Sequence, residues 1–292
     1  MKLALAVALF VATPAFAQTQ NQAQPQAQPA ARPSICQAVA QQLEPDWQVH
    51  RAAAPAGTQG GLGPYEVAIR FDSHSTYVIE SAAGVRIATD YAGWLMGDGT
   101  PASRLPPRVA TMNRAHSSHY TSSPDPAIEH VLPGWANELG GPDAPANPAE
   151  HYRQVEDVTV RNVTTDILRY GSQTNGNSIF IFETAGLCIG HLGHLHHVPT
   201  DTHYAAIGRL DVVMVPVDGG LTLSHIGMND VLKRLRSSVI LPMHLRSYDA
   251  LPRFLAHMGD EFAVQRPRDA RLVLSLRNLP KRPTIVILPN LD

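Results

Sequence analysis

Val109-Ala110-Thr111-Met112-Asn113-Arg114-Ala115-His116-Ser117-Ser118-His119 is the stretch on which the fold turns. Its first half is a short apolar run that predicts a buried strand, and its second half is a polar loop with two histidines three residues apart. The pattern recurs along the chain: Leu187–Gly190 leads into His191-Leu192-Gly193-His194-Leu195-His196-His197, Val239–Pro242 leads into His244, and Val212–Val217 leads into Asp218 with His225 beyond it. Side chains that follow strand ends in layered α/β folds converge on one rim, so residues distant in sequence can share a site.

Outward from these units, Tyr65–Phe71, Ser75–Glu80 and Val85–Thr89 read as short strands of a meander or hairpin. Val155–Thr164 and Ser178–Glu183 read as further strands, as do Leu272–Leu276 and Thr284–Leu288. Helices are expected at Ser34–Leu43, Asp125–Leu132, Asp201–Gly208, Ile226–Leu235 and Leu251–His257. This order predicts an α+β (αββα) fold: two mixed β-sheets sandwiched between helices.

The amino terminus has the organisation of an export signal. Met1-Lys2 precedes an apolar run from Leu3 to Ala12, and Pro14 and Ala15-Phe16-Ala17 close it with small residues, so cleavage is expected after Ala17. The run is about half the ~20 residues that a membrane-spanning helix needs. Residues 18–33 are almost wholly Gln, Ala and Pro, a composition too poor in apolar surface to fold, and are read as a disordered tether. The division is therefore 1–17 signal peptide, 18–33 tether and 34–292 a single folded domain, with a periplasmic or secreted location and no membrane span. Export would permit a Cys36–Cys188 disulfide, although Cys188 within Gly186-Leu187-Cys188-Ile189 reads equally well as a small buried hydrophobe.

Composition narrows the chemistry. Of 292 residues, 44% are hydrophobic and 16% charged, and 23 Lys+Arg against 25 Asp+Glu leave a formal charge of −2, which gives no basic footprint for nucleic acid. Two cysteines are too few for a cysteine-built metal cluster, whereas 14 histidines supply ample metal or proton chemistry. Zinc takes three or four nitrogen, sulfur or oxygen ligands, and neutral imidazoles carried on strand-end loops meet that demand. A His-x-x-His pair or a lone His244 also fits a polar loop or a buried core histidine, so the clustering carries the reading.

The succession His74-Ser75-Thr76-Tyr77, Thr89-Asp90, the His116/His119 loop, Gly190-His191-Leu192-Gly193-His194, Val215-Pro216-Val217-Asp218-Gly219-Gly220 and Leu241-Pro242-Met243-His244 resembles the metallo-β-lactamase superfamily. It is most similar to the branch of metal-dependent hydrolases that includes the ascorbate-6-phosphate lactonase type. The family's hallmark loop is His-x-His-x-Asp-His; here Arg114 stands for the first histidine and Ser118 for the aspartate. His194 stands where that branch places a bridging carboxylate, and Asn162–Ile167 holds no histidine where a mid-chain one is expected.

The resemblance implies metal ligands among His116, His119, His191, His194 and His244, with Asp90 accepting hydrogen bonds behind them and His74 at the pocket wall. Asp90 and Asp218 also fit as turn residues. Without the loop aspartate, one Zn2+ is expected in preference to two, and iron or manganese would suit such ligands as well. The implied function is an exported hydrolase of an ester, lactone or phosphoester small molecule acting through a metal-bound water. Arg114 would neutralise an anionic substrate or oxyanion, and Asp218 would be a second catalytic group. The alternative is a non-catalytic metal- or small-molecule-binding relative on the same scaffold.

Overall fold

The computed structural model describes residues 34–38, 61–113, 117–135, 148–168 and 172–291. The expected signal peptide and tether, Arg114 and His116 lie outside them. Two sheets form the body. The first contains β1 (Val67–Ser73), β2 (Thr76–Glu80), β3 (Arg86–Ala88), β4 (Val109–Met112) and β5 (His130–Pro133), joined by β13 (Arg271–Leu274), in the order β13-β1-β2-β3-β4-β5. The second is built from β6 (Tyr152–Val155), β7 (Val158–Leu168), β8 (Ser172–Thr184), β9 (Leu187–His191), β10 (Val212–Pro216), β11 (Val239–Met243), β12 (Ala263–Gln265) and β14 (Thr284–Val286), in the order β12-β14-β11-β10-β9-β8-β7-β6.

Both sheets are mixed. In the first, β1, β2 and β3 are antiparallel neighbours and β3, β4 and β5 run parallel. In the second, β9, β10, β11 and β14 run parallel, while β6 to β9 form an antiparallel meander. The parallel strands are buried along their whole length, which is why they read as unbroken apolar runs and not as alternation. Ile69, Ile79, Ile87 and Val109 of the first sheet share one core with Phe180, Phe182, Ile189, Val213 and Leu241 of the second.

Helices α1 (Ile35–Ala38), α2 (Asp201–Ile207), α3 (His225–Leu235) and α4 (Ala250–Met258) supply the connections. Thr200 caps α2 and Ser224 caps α3, each hydroxyl accepting a backbone N–H of the first turn. No helix among the described residues is long and apolar enough to cross a membrane.

Two sequence expectations change. Asp125–Leu132 is not helical: the Asp125 carboxylate accepts the Ala127 N–H at 2.9 Å and its carbonyl accepts Ile128 N–H, forming a turn, and Val131 and Leu132 then join the sheet beside β4. Pro124 and Pro126 on either side of Asp125 suit that turn and not a helix. The hairpin β7–β8 is much longer than the expected strands, and β6 and β12 extend the sheet edges. Cys36 and Cys188 are bonded to each other, fastening α1 to β9.

Candidate metal centre

Strand direction gathers the site. At one edge of the body β1 ends and β2 begins, β3 and β4 end, β7 ends and β8 begins, and β9, β10 and β11 end. Three contacts join the two sheets there: the Tyr77 hydroxyl donates to Pro242 O at 2.7 Å, the Ser178 N–H donates to Asn113 Oδ1 at 2.7 Å, and His191 Nε2 bonds Ser75 O at 2.8 Å. Loops leaving this edge therefore carry their side chains into one small volume.

His74, His119 and His244 meet there, with one ligand-capable atom of each lying within 4.8 Å of those of the others. Their ring centroids are 4.3 Å apart for His74 and His244, 5.1 Å for His119 and His244, and 5.3 Å for His74 and His119. His119 and His244 are buried. The backbone is held in an uncommon shape to achieve this: His74, Asp90 and His244 all have positive φ, at 39°, 43° and 61°. Such residues cost of order 1–3 kcal/mol each and persist where the surroundings over-determine them. One such constraint is direct, since His244 N–H donates to His74 O at 2.8 Å.

A buried carboxylate stands behind each of two members. His119 Nδ1 donates to Asp90 Oδ2 at 2.6 Å, and His244 Nδ1 donates to Asp218 Oδ2 at 2.8 Å. These bonds place the proton on Nδ1 and the lone pair on Nε2, the arrangement in which carboxylate-supported histidines bind metal. Burial raises the Asp218 carboxyl, yet hydrogen bonds from His244, Thr222 and the backbone of residue 220 outweigh it and hold the group below the ordinary carboxylate range. For Asp90 burial wins and pushes the carboxyl up, against the opposing charges of His191 and His244 and the Asn113 amide.

Asn113 fixes Asp90 by simple logic. A backbone N–H can only donate, so the Ser178 N–H identifies the Asn113 oxygen and turns its amide nitrogen to Asp90 Oδ1, 2.7 Å away. Asn177 does the same for the next strand, accepting the His194 N–H at 2.8 Å and donating to Thr165 and to Leu192 O. Gly193, at φ +60°, lies between these two amides, and a β-carbon there would overlap both.

The candidate residues sort as follows. His74, expected at the pocket wall, is a member of the three-histidine group; the cue in the sequence was its place at a strand end, shared with His119 and His244. His191, expected as a ligand, has both ring nitrogens on backbone groups: Gly193 N–H donates to its Nδ1 at 3.1 Å and its Nε2–H donates to Ser75 O. It props the turn that carries His74. His194 borders the group, its ring 5.0 Å from His119 and 4.7 Å from His244, and its Nδ1 lies 2.8 Å from His196 Nε2.

Asp218, expected as a catalytic group, lies behind His244. Its oxygens accept from His244, Thr222 and the backbone of residues 220 to 222, making it the support of His244 and of its own turn. Arg114 and His116 lie outside the described residues. The sequence reading missed Asn113 and Asn177, because an asparagine at a strand end has no signature until the partner strand is in place.

The family described as beta-lactamase superfamily domain matches residues 68–244, more than half of the chain. The chain belongs to the metallo-β-lactamase superfamily. The match spans the site from β1 to His244. Among solved structures of this superfamily's fold, a provisionally assigned zinc-dependent hydrolase of the metallo-β-lactamase superfamily from Thermotoga maritima is 23% identical, with a TM-score of 0.50 over 76% of this chain and 98% of that one. Igni18, a metallo hydrolase from Ignicoccus hospitalis, is 15% identical, with a TM-score of 0.52 over 72% of this chain and 99% of that one. At these identities the likeness is one of fold. No curated protein matches the chain in sequence.

Proposed function

We propose that the chain is an exported, metal-dependent hydrolase whose ion is held by His74, His119 and His244. The observation that carries this is the donor set: three imidazoles brought within 4.8 Å at a strand-end rim, two of them with Nδ1 bound to buried carboxylates. When bound, a divalent ion such as zinc would supply Lewis acidity toward the scissile carbonyl or phosphoryl oxygen and make water nucleophilic near neutral pH.

The chain's own residues do the rest. Asp90 and Asp218 keep His119 and His244 in the tautomer with the Nε2 lone pair. Asn113 and Thr222 hold those carboxylates, and His191 holds the turn of His74. Burial of His119, His194 and His244 keeps bulk water from the imidazoles. One ion is the natural content of three histidines without a ligating carboxylate, and iron or manganese would fit the same donors.

An exported location is supported by the signal-like segment 1–17 and by the Cys36–Cys188 bond, which is at home in an oxidising compartment. The test is a panel of neutral esters, lactones and phosphodiesters offered to the purified chain before and after chelation. Hydrolysis lost to the chelator and restored by zinc supports the proposal, and hydrolysis indifferent to chelation contradicts it.

A further inference from the structure

His225, which follows Asp218 in the sequence, opens α3 behind the Ser224 cap and is buried. Its Nε2 lies 2.9 Å from Val217 O. A carbonyl can only accept, so Nε2 carries the proton and donates it to that bond. The ring also meets α4, its centroid 6.0 Å from that of Phe254 and 5.2 Å from that of His257. Gly219, at φ +69°, makes the room: a β-carbon there would lie 2.3 Å from His225 Nε2.

This bond closes a loop around the support of His244. Val217 N–H donates to Met243 O at 3.0 Å, so the residue before Asp218 is tied to the residue before His244. The Val217 carbonyl belongs to the same planar peptide as the Asp218 N–H, so a donor fixed on that oxygen fixes the plane from which Asp218 departs. The Asp218 carboxylate is held in turn by the N–H groups of residues 220 to 222 and the Thr222 hydroxyl, and its Oδ2 accepts from His244 Nδ1 at 2.8 Å.

We propose that His225 is a positioning residue of the metal centre: through the Val217 peptide it aims Asp218, and through Asp218 it sets the orientation and tautomer of the His244 imidazole. The inference rests on the three-histidine reading above and extends the supports of that site from the sheets to the α3–α4 pair. A His225 that only filled space or satisfied a carbonyl would cost stability when replaced and leave the affinity for the ion alone. A positioning His225 costs affinity in protein that is still folded.

His225→Gln and His225→Met separate the two. Their side chains match in length and both suit a helix, but only Gln offers an N–H near the place of Nε2. Zinc affinity of the purified chain is measured by competition with a chromophoric chelator and referred to the folded fraction, taken from urea curves of the metal-free variants. Cobalt(II) absorption spectra report the geometry of the loaded site. His225→Met should weaken zinc about 10–100-fold and alter the cobalt spectrum, whereas His225→Gln should stay within about threefold of wild type. Asn229→Ala, one turn along the same face of α3, removes a bond to His257 O and should lower stability with zinc affinity unchanged. Wild-type affinity in folded His225→Met overturns the positioning role, and so does an equal loss in the Gln and Met variants. Independently of any variant, histidine nitrogen spectra of the wild type should show the Nε2–H tautomer at His225; an Nδ1–H tautomer overturns the proposal. A wild type that takes up no zinc overturns the three-histidine reading and this proposal with it, while a wild type that binds zinc confines any failure to His225.

Discussion

The Asn113 amide nitrogen donates to Asp90 Oδ1 at 2.7 Å, and through that bond the second sheet sets the tautomer of a histidine on the first. Each link has one polarity. Ser178 N–H orients the amide, the amide orients the carboxylate, and the carboxylate takes the proton of His119 Nδ1. Replacing Asn113 by Asp presents a second carboxylate to Asp90, and two buried carboxylates share a proton in preference to ionising together. Asn113→Asp should therefore weaken zinc binding by about 10–100-fold, the usual effect of losing a group that supports a ligand. Competition with a chromophoric chelator measures this. Asn162→Ala, which removes hydrogen bonds to Ala149 O, Ser178 Oγ and the His151 N–H but none to His74, His119 or His244, should leave the affinity within about threefold of wild type on the same reasoning.

His191 separates support from ligation. Its replacement by Phe takes one of two donors from Ser75 O, the other being the Thr89 hydroxyl, and takes its acceptor from the buried Gly193 N–H, at a cost of about 1–3 kcal/mol. The bound zinc at saturation should stay at one equivalent while urea stability falls. Loss of the metal with stability intact would make His191 a ligand after all.

Acid should destabilise the metal-free chain through His194. Burial, followed by the neighbouring His119, His244 and His196, lowers this imidazole from its ordinary 6.5 to about 2. Between those values the unfolded chain holds a proton that the folded chain does not, so stability falls as pH drops below about 6.5. One such proton is worth about 1.4 kcal/mol per pH unit. Urea unfolding of the metal-free protein between pH ~7.5 and ~5 should show this slope, reduced by one proton in His194→Gln. Parallel slopes for the two proteins would show that His194 does not contribute.

The N-terminal fastening should be worth a large part of the fold's margin. Cys36 and Cys188 close a separation of 152 residues, and next to them the Glu183 carboxylate receives the Arg161 guanidinium at 2.8 Å, the Ser34 hydroxyl and the Ile35 N–H. Removing a native disulfide of this kind costs about 2–5 kcal/mol. Thermal unfolding with and without reductant should show a clear drop in Tm, matched by Cys36→Ala/Cys188→Ala without reductant. An unchanged Tm would mean that the buried Arg161–Glu183 pair holds the segment unaided.

The sequence announced the strands that are buried on both faces, because Val212–Val217 and Val239–Pro242 have no polar side to confuse their reading. It announced the rim for the same reason, since polar residues must follow where an apolar strand stops. Asp125–Leu132 was misread because its apolar spacing suits a helix, while the deciding facts, the prolines beside Asp125 and a free sheet edge at β4, act locally and across the fold. His74 joins the three-histidine group and the His191 nitrogens meet backbone groups, a distinction the sequence does not carry because it depends on which atoms surround each ring, and those atoms come from other strands. Of the four histidines between residues 191 and 197, the nitrogens of the first belong to Ser75 and Gly193.

The claim on which everything else rests is that His74 is a metal ligand. Metal content by elemental analysis of the chain, purified without chelator or His-tag and supplied with zinc, tests it beside His74→Ala, His119→Ala and His191→Phe. About one equivalent in the wild type and in His191→Phe, lost from both alanine variants, is the expected result for a three-histidine site. Full zinc retention by His74→Ala would contradict it and return the ligand set to the histidines of the later loops.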